Sequence, residues 1–341
     1  MASLALIDVD GTEHDLRAEG RYVDAADLAA ATGWVHKPVG LCRGDVCVPL
    51  LGRVVTGPGD DSRIDLRAWA EALGLLLAHD PDEGVAALAP SAAARHQQLG
   101  DGRAPSLALR DVDGNPVSFD DQSGHKRVLV TWASWCGCRH ELVAWQQLQD
   151  ELADTGLRIF SVALDADPED SRPWIEAASP SYPVAVDTAH VTAERYGITN
   201  VPSVVWVDEQ DRIVKPPTIA PGDDQFVDYT QIRSDQHHEL LRAWARDGAL
   251  PASAAGDLPE RTDDEQLALA ERRVAAYLQR RGRVDAAKAH LATAQELAPW
   301  DWTVRRGGIK MTGGDPFLGE EFTSFWETWD ASGRPGYTPT T

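Results

Sequence analysis

The sequence predicts an α/β protein: a central sheet flanked by helices, with a small α+β domain before it and a helical segment after it. Three features carry this. Between residues 104 and 250, apolar runs of strand length alternate with amphipathic helical stretches, the pattern of an α/β sheet. Ahead of that region, Asp-capped helical stretches sit among short strand-like runs, and beyond it the chain reads helical and rich in tryptophan. At 341 residues the chain exceeds one ordinary core. The expected division is 1–98, 104–250 and 258–341.

The first segment opens with SLALIDVDGTEHDL, a hairpin pattern whose Asp10-Gly11 pair suits the turn. Two helical stretches follow, VDAADLAAATGW and IDLRAWAEALGL, each starting at an Asp cap and stopping at a Gly. Between them lies GLCRGDVCVPL, with Cys42 and Cys47. HQQLGDGRAPS reads as a linker.

In the second segment KRVLVTWAS and LRIFSVALDA are buried strands around the helix RHELVAWQQLQDELADTG, in which Leu142, Trp145, and Leu148 or Leu152 share a face. SRPWIEAAS, PVAVD and TAHVTAERYG continue the alternation. NVPSVVWVDEQDRIV reads as two strands around an acidic turn, and HHELLRAWARDG as a closing helix in which His237 and His238 face solvent. In the third segment ERRVAAYLQRRGRVDAAKAHLATAQELAP is a helical hairpin turning at Gly282. Val274, Ala275, Leu278, Gly282, Ala287, Leu291, Ala294 and Pro299 fall at tetratricopeptide-like spacing, though only one such unit is visible. The aromatic tail FWETWDASGRPGY is expected to pack.

Charge narrows the function. Against 32 basic residues stand 54 acidic ones, a net charge of −22, which repels phosphate backbones and anionic lipid. Neither nucleic acid nor membrane is therefore an expected partner, and no apolar run approaches the ~20 residues of a membrane span. The opening MASLALIDVDGTEHD lacks a basic stretch, so no signal peptide is expected and the expected compartment is the cytosol, where thiols are kept reduced. Four cysteines are too few for a disulfide framework, and they come as two close pairs. In a cytosolic protein such pairs point to redox chemistry or metal binding.

APSLALRDVDGNPVSFDDQSGHKRVLVTWASWCGCRHEL and, much later, GITNVPSVVWVDEQDRIV resemble the two halves of a thioredoxin-superfamily domain, most closely the bacterial thiol-disulfide oxidoreductases and redoxins of the TlpA and ResA type. The resemblance covers about 145 residues in the right order and implies a thioredoxin-like central sheet. It implies that Cys136 is the nucleophile, that Pro202 is a cis-proline opposite it, and that the Val201 backbone pairs with an extended substrate. The residues agree: Cys136 stands between a strand and a helix, where the helix dipole favours a thiolate, and Arg139 and His140 add positive charge. Trp132 and Trp135 are expected to limit access and shape a flat substrate platform.

The sequence departs from the family in its spacing, because only Gly137 separates Cys136 from Cys138. In one alignment the turn has lost a residue and Cys138 is the resolving thiol; in the other Cys138 is extra and Arg139 holds that position. Residues two apart on a helix point away from each other, so a Cys136–Cys138 bond needs a non-helical turn, which Gly137 permits because it lacks Cβ.

Cys42 and Cys47 read as a second dithiol relaying electrons, as half-buried packing residues, or as a thiophilic metal site with Asp45, His36 or the other cysteine pair. To meet, they need a turn at Arg43-Gly44-Asp45. The expected function is a multidomain thiol-disulfide oxidoreductase that needs no cofactor and no metal. It would act on a protein or small-molecule thiol or disulfide, with a reducing partner the sequence does not name. A metal-binding or partner-binding scaffold of the same fold is the alternative from another class. A thiol peroxidase is a third, although the PxxxTxxC pattern is missing upstream of Cys136.

Overall fold

The computed structural model describes residues 2–49, 55–56, 62–99, 102–254 and 258–337. The chain divides into two units, Met1–Gln97 with Arg261–Leu297, and Gln98–Glu260 with Ala298–Thr341. The segment 258–341, expected as one unit, is thus shared between them.

In the first unit the strands Ala2–Ile7 and Glu13–Glu19 form the expected antiparallel hairpin. They lie in a sheet ordered 55–56, 63–65, 22–24, 13–19, 2–7, 85–90, 75–80. Helices Ala25–Thr32 and Leu66–Ala72 begin where Asp24 and Asp65 accept the first free backbone N–H groups. Leu6, Val23, Leu28, Ile64, Leu66, Trp69 and Leu88 fill the core. The helices Asp263–Arg280 and Val284–Leu297 are the expected hairpin. Their residues are used on this unit's sheet: Gln266 donates to the Pro90 carbonyl at 3.0 Å, Arg273 to the Leu88 carbonyl at 2.6 Å, and His290 meets Asp80 and Glu271. That is the physical reason the hairpin leaves the C-terminal segment. Part of the expected linker is also structured, since His96–Leu99 close the helix Ala92–Leu99.

The second unit is the expected α/β sheet. Its strands run in the order 116–118, 108–110, 184–186, 158–163, 127–132, 203–207, 213–219. Arg158–Ala163 is parallel to both Arg127–Trp132 and Val184–Val186, while Ser203–Val207 and Ile213–Ile219 turn antiparallel at the far edge. Val128, Leu129, Ile159, Phe160, Val204 and Val205 are fully buried, as strands covered on both faces must be. Helix Leu142–Glu151 buries Leu142, Trp145 and Leu148, the face the sequence predicted. The helix Ser234–Asp247 corrects one expectation, because His237 does not face solvent. Its ring is buried 5.7 Å from the Trp145 ring and 5.9 Å from that of Trp206, and burial pushes its pKa well below the usual value. At the C-terminal end Trp302, Phe325 and Trp329 form a core with Phe322, Trp326 and Tyr337 packed on it, as the aromatic tail predicted. Among the described residues no helix is long and apolar enough to cross a membrane.

Candidate active site

Strand Arg127–Trp132 ends in the centre of the sheet, and the chain enters a 3-10 turn, Gly137–His140, that leads through Glu141 into the helix Leu142–Glu151. Cys136 caps this turn in extended conformation, with φ −112° and ψ 147°, and the Cys138 backbone N–H points at its sulfur over 3.3 Å. Because Cys136 lies outside the helical turn, the rule that residues two apart diverge does not apply to it. Cys136 and Cys138 are joined as a disulfide with their Cα atoms 5.2 Å apart. An N–H aimed at sulfur and the start of a helical run both favour a thiolate over a thiol once the bond is reduced.

The approach to Cys136 is braced from below. Asp165, fully buried just after strand Arg158–Ala163, accepts from the Ser134 backbone N–H at 3.0 Å, the Ser134 hydroxyl at 2.7 Å and the Ser171 hydroxyl at 2.6 Å. Burial raises its pKa, and these donors oppose the shift. Trp135 donates from Nε1 to the Leu164 carbonyl at 3.0 Å, and the Arg139 guanidinium to the Ser134 carbonyl at 2.7 Å.

Opposite the dithiol, the Val201–Pro202 peptide is cis, as the resemblance implied. The Val201 carbonyl oxygen lies 3.6 Å from Cys136 Sγ. Of the Val201 backbone, which the resemblance implied pairs with an extended substrate, the N–H donates to Asn200 Oδ1 at 2.8 Å. Behind the turn, Glu141 is completely buried, and its carboxylate accepts the Gly222 N–H at 2.7 Å. Burial pushes its pKa up to about 8, against that hydrogen bond.

The tryptophans correct another expectation. Trp132 and Trp135 are buried at 1% and 2% exposure and form no open platform. The Trp135 indole points inward to Leu164 and packs on Gly307 of the helix Trp302–Met311, where an added Cβ would stand 3.4 Å from the ring. The dithiol itself is covered, with Cys136 6% and Cys138 2% exposed. The Phe226 ring lies across Gly137, so close that a Cβ on Gly137 would stand 2.5 Å from it. Arg139, expected to add positive charge near Cys136, is sandwiched between the rings of Trp174 and Phe317, each 4.2 Å away.

Cys42 and Cys47 are joined in the first unit. They are cross-strand partners in the pair Gly40–Arg43 and Val46–Val48, with Cα atoms 4.1 Å apart and the turn at Gly44. Cys42 is buried and Cys47 exposed. Among the described residues no three His, Cys, Asp or Glu side chains group as a metal site requires.

Sequence reasoning passed over Asp165, Glu141, Phe226 and Phe317. The first two carried a weak signal: a charged residue ending an apolar strand run, and another immediately before the apolar face of a helix. The two phenylalanines carried none, because their positions over the turn depend on long-range folding.

Residues 101–216 match the AhpC/TSA family. The chain is 29% identical over 112 residues to the thioredoxin-like protein YneN of Bacillus subtilis, covering 32% of this chain and 65% of that protein. It is 26% identical over 115 residues to the thiol-disulfide oxidoreductase ResA of Bacillus thuringiensis, covering 33% and 65%. The chain thus spans about 65% of the length of these relatives. A solved thiol:disulfide interchange protein of the thioredoxin family, from Chlorobium tepidum, is 24% identical, covering 35% of this chain and 86% of its own at a TM-score of 0.32. The matching segment, about a third of the chain, also holds the Cys136–Cys138 turn and the Val201–Pro202 bond.

Proposed function

We propose that this protein is a thiol-disulfide oxidoreductase whose working dithiol is the Cys136–Gly137–Cys138 turn. The observation that carries the reading is the Cys138 N–H aimed at Cys136 Sγ where a strand end passes into a helical run. In the reducing direction the Cys136 thiolate attacks one sulfur of a substrate disulfide. That S–S bond breaks, a mixed disulfide forms and the first substrate thiolate leaves. Cys138, deprotonated, then attacks Cys136 of the mixed disulfide. The second substrate thiolate leaves with the electron pair, and the protein keeps the Cys136–Cys138 bond. An external thiol reductant re-forms the dithiol by the reverse exchanges.

Cys42–Cys47 is read as a second exchange point, a reading favoured by the exposure of Cys47. The experiment is trapping. Reduced Cys138→Ser protein, offered a disulfide substrate, is expected to accumulate a mixed disulfide on Cys136, identified by peptide mass mapping. Label on Cys47 but never on Cys136 would overturn the assignment.

A further inference from the structure

Four contacts of the second unit converge on the dithiol from segments outside the family match, which ends at residue 216. The Phe226 ring lies against Gly137, between the two cysteines. Gly307 of the helix Trp302–Met311 seats the Trp135 ring, and the Trp302 N–H donates to the Thr199 carbonyl at 2.7 Å, two residues before Val201. Phe317 closes on the Arg139 guanidinium. The short helix Val227–Thr230, which starts directly after Phe226, is tied to the C-terminal residues, because the Tyr337 hydroxyl donates to the Thr230 carbonyl at 2.7 Å and the Trp326 and Tyr229 rings meet edge to face at 6.4 Å. Beside these contacts Cys136 is only 6% exposed.

We propose that Phe226, held by the Tyr337–Thr230 tie, is a specificity-determining lid residue that admits low-molecular-weight disulfides to Cys136 and excludes disulfides carried on folded proteins. The inference rests on the oxidoreductase reading above. Attack on a disulfide needs the incoming S–S axis in line with Cys136 Sγ. A small disulfide reaches that line with its two substituents folded back, needing little more than rotation of one aromatic ring. A disulfide on a protein surface brings flanking backbone against Gly137 and Val201, where Phe226 and the taken Val201 N–H leave it no place. The same cover keeps other protein thiols from resolving the mixed disulfide before Cys138 does.

The test uses the full chain and two independent readouts. In the first, reduced protein is alkylated with iodoacetamide or with a maleimide carrying a long polyethylene glycol chain, and loss of unmodified Cys136 is followed by mass mapping. The preference for the small reagent, measured against an unfolded peptide spanning the turn, is expected to fall about tenfold in Phe226→Ala. It is expected to fall by a smaller factor in Tyr337→Phe, which removes one hydroxyl and leaves the packing in place. In the second readout, reduction of insulin relative to hydroxyethyl disulfide is expected to rise in the same order. An equal reagent preference in wild type, Phe226→Ala and Tyr337→Phe would overturn the lid. So would wild-type protein that reacts with the large reagent as fast, relative to the small one, as the unfolded peptide does. Turnover of neither disulfide by any variant would count against the oxidoreductase reading, while the alkylation ratios would still decide the lid.

Discussion

The two disulfides are made by different means. Cys42 and Cys47 face each other because an antiparallel register puts them there, across a turn at Gly44 in a short sheet. Cys136 and Cys138 meet because one caps a helical turn and the other stands inside it. In the first pair the backbone only holds the sulfurs together. In the second it also points an N–H at one of them, and the turn is fixed by the buried Asp165 below and Glu141 behind, with the half-buried Phe226 above. The two pairs therefore differ in their surrounding apparatus more than in their spacing.

The largest expected effect comes from Glu141. Below its usual pKa of 4.5 the carboxyl is protonated in folded and unfolded chains alike. Between there and about 8 the unfolded chain ionises while the folded one keeps its proton, so stability falls as pH rises through that window and the deficit is constant above it. Glu141→Gln removes the difference and keeps an acceptor for the Gly222 N–H. Denaturant titrations from pH 5 to 9 should therefore show the variant gaining on wild type by up to a few kcal/mol. A flat difference across that range would contradict the burial argument.

Next is the brace under the dithiol. Asp165→Ala strands the Ser134 N–H, the Ser134 hydroxyl and the Ser171 hydroxyl, and is expected to destabilise by about 2–4 kcal/mol. Asp45→Ala, in the exposed turn between Cys42 and Cys47, should stay within about 0.5 kcal/mol. Equal losses by urea denaturation would remove the contrast between a built turn and a simple hairpin.

The smallest effects separate the two glycines. Gly44 has φ +58° with open space around it, so Gly44→Ala is expected to lose about 1 kcal/mol through backbone strain alone. Gly137 is not in the left-handed region. There the added methyl meets the Phe226 ring, for an expected loss of about 1–3 kcal/mol. Combining Gly137→Ala with Phe226→Ala should recover most of that loss, whereas Phe226→Ala should leave Gly44→Ala unimproved.

These glycines mark how far the sequence could be read. Alternation of strands and helices, Asp24 and Asp65 as caps, and the cis peptide before Pro202 were legible because local pattern or a motif carries them. Gly137 was picked out for its turn, yet what needs it bare is a ring 89 residues away, at Phe226. His237 and Trp135 were misjudged for the same reason: polarity and motif position gave no hint of the neighbours that bury them, Trp145 and Trp206 in one case, Gly307 in the other. The helical hairpin was visible as helices, but its assignment to the first unit rests on side chains such as Arg273 reaching the Leu88 carbonyl.

The contrast between the two cysteine sites is tested most directly by the acidity of their thiols. Iodoacetamide rates against pH, measured for Cys136 in Cys138→Ser and for Cys47 in Cys42→Ser, give the two pKa values in otherwise intact chains. The helical run and the Cys138 N–H stabilise the Cys136 thiolate, while burial opposes it. Cys136 is expected to titrate well below the ordinary thiol value of ~8.5 and Cys47 close to it. Coincident profiles, or a Cys136 pKa above that of Cys47, would contradict the assignment of Cys136 as the nucleophile.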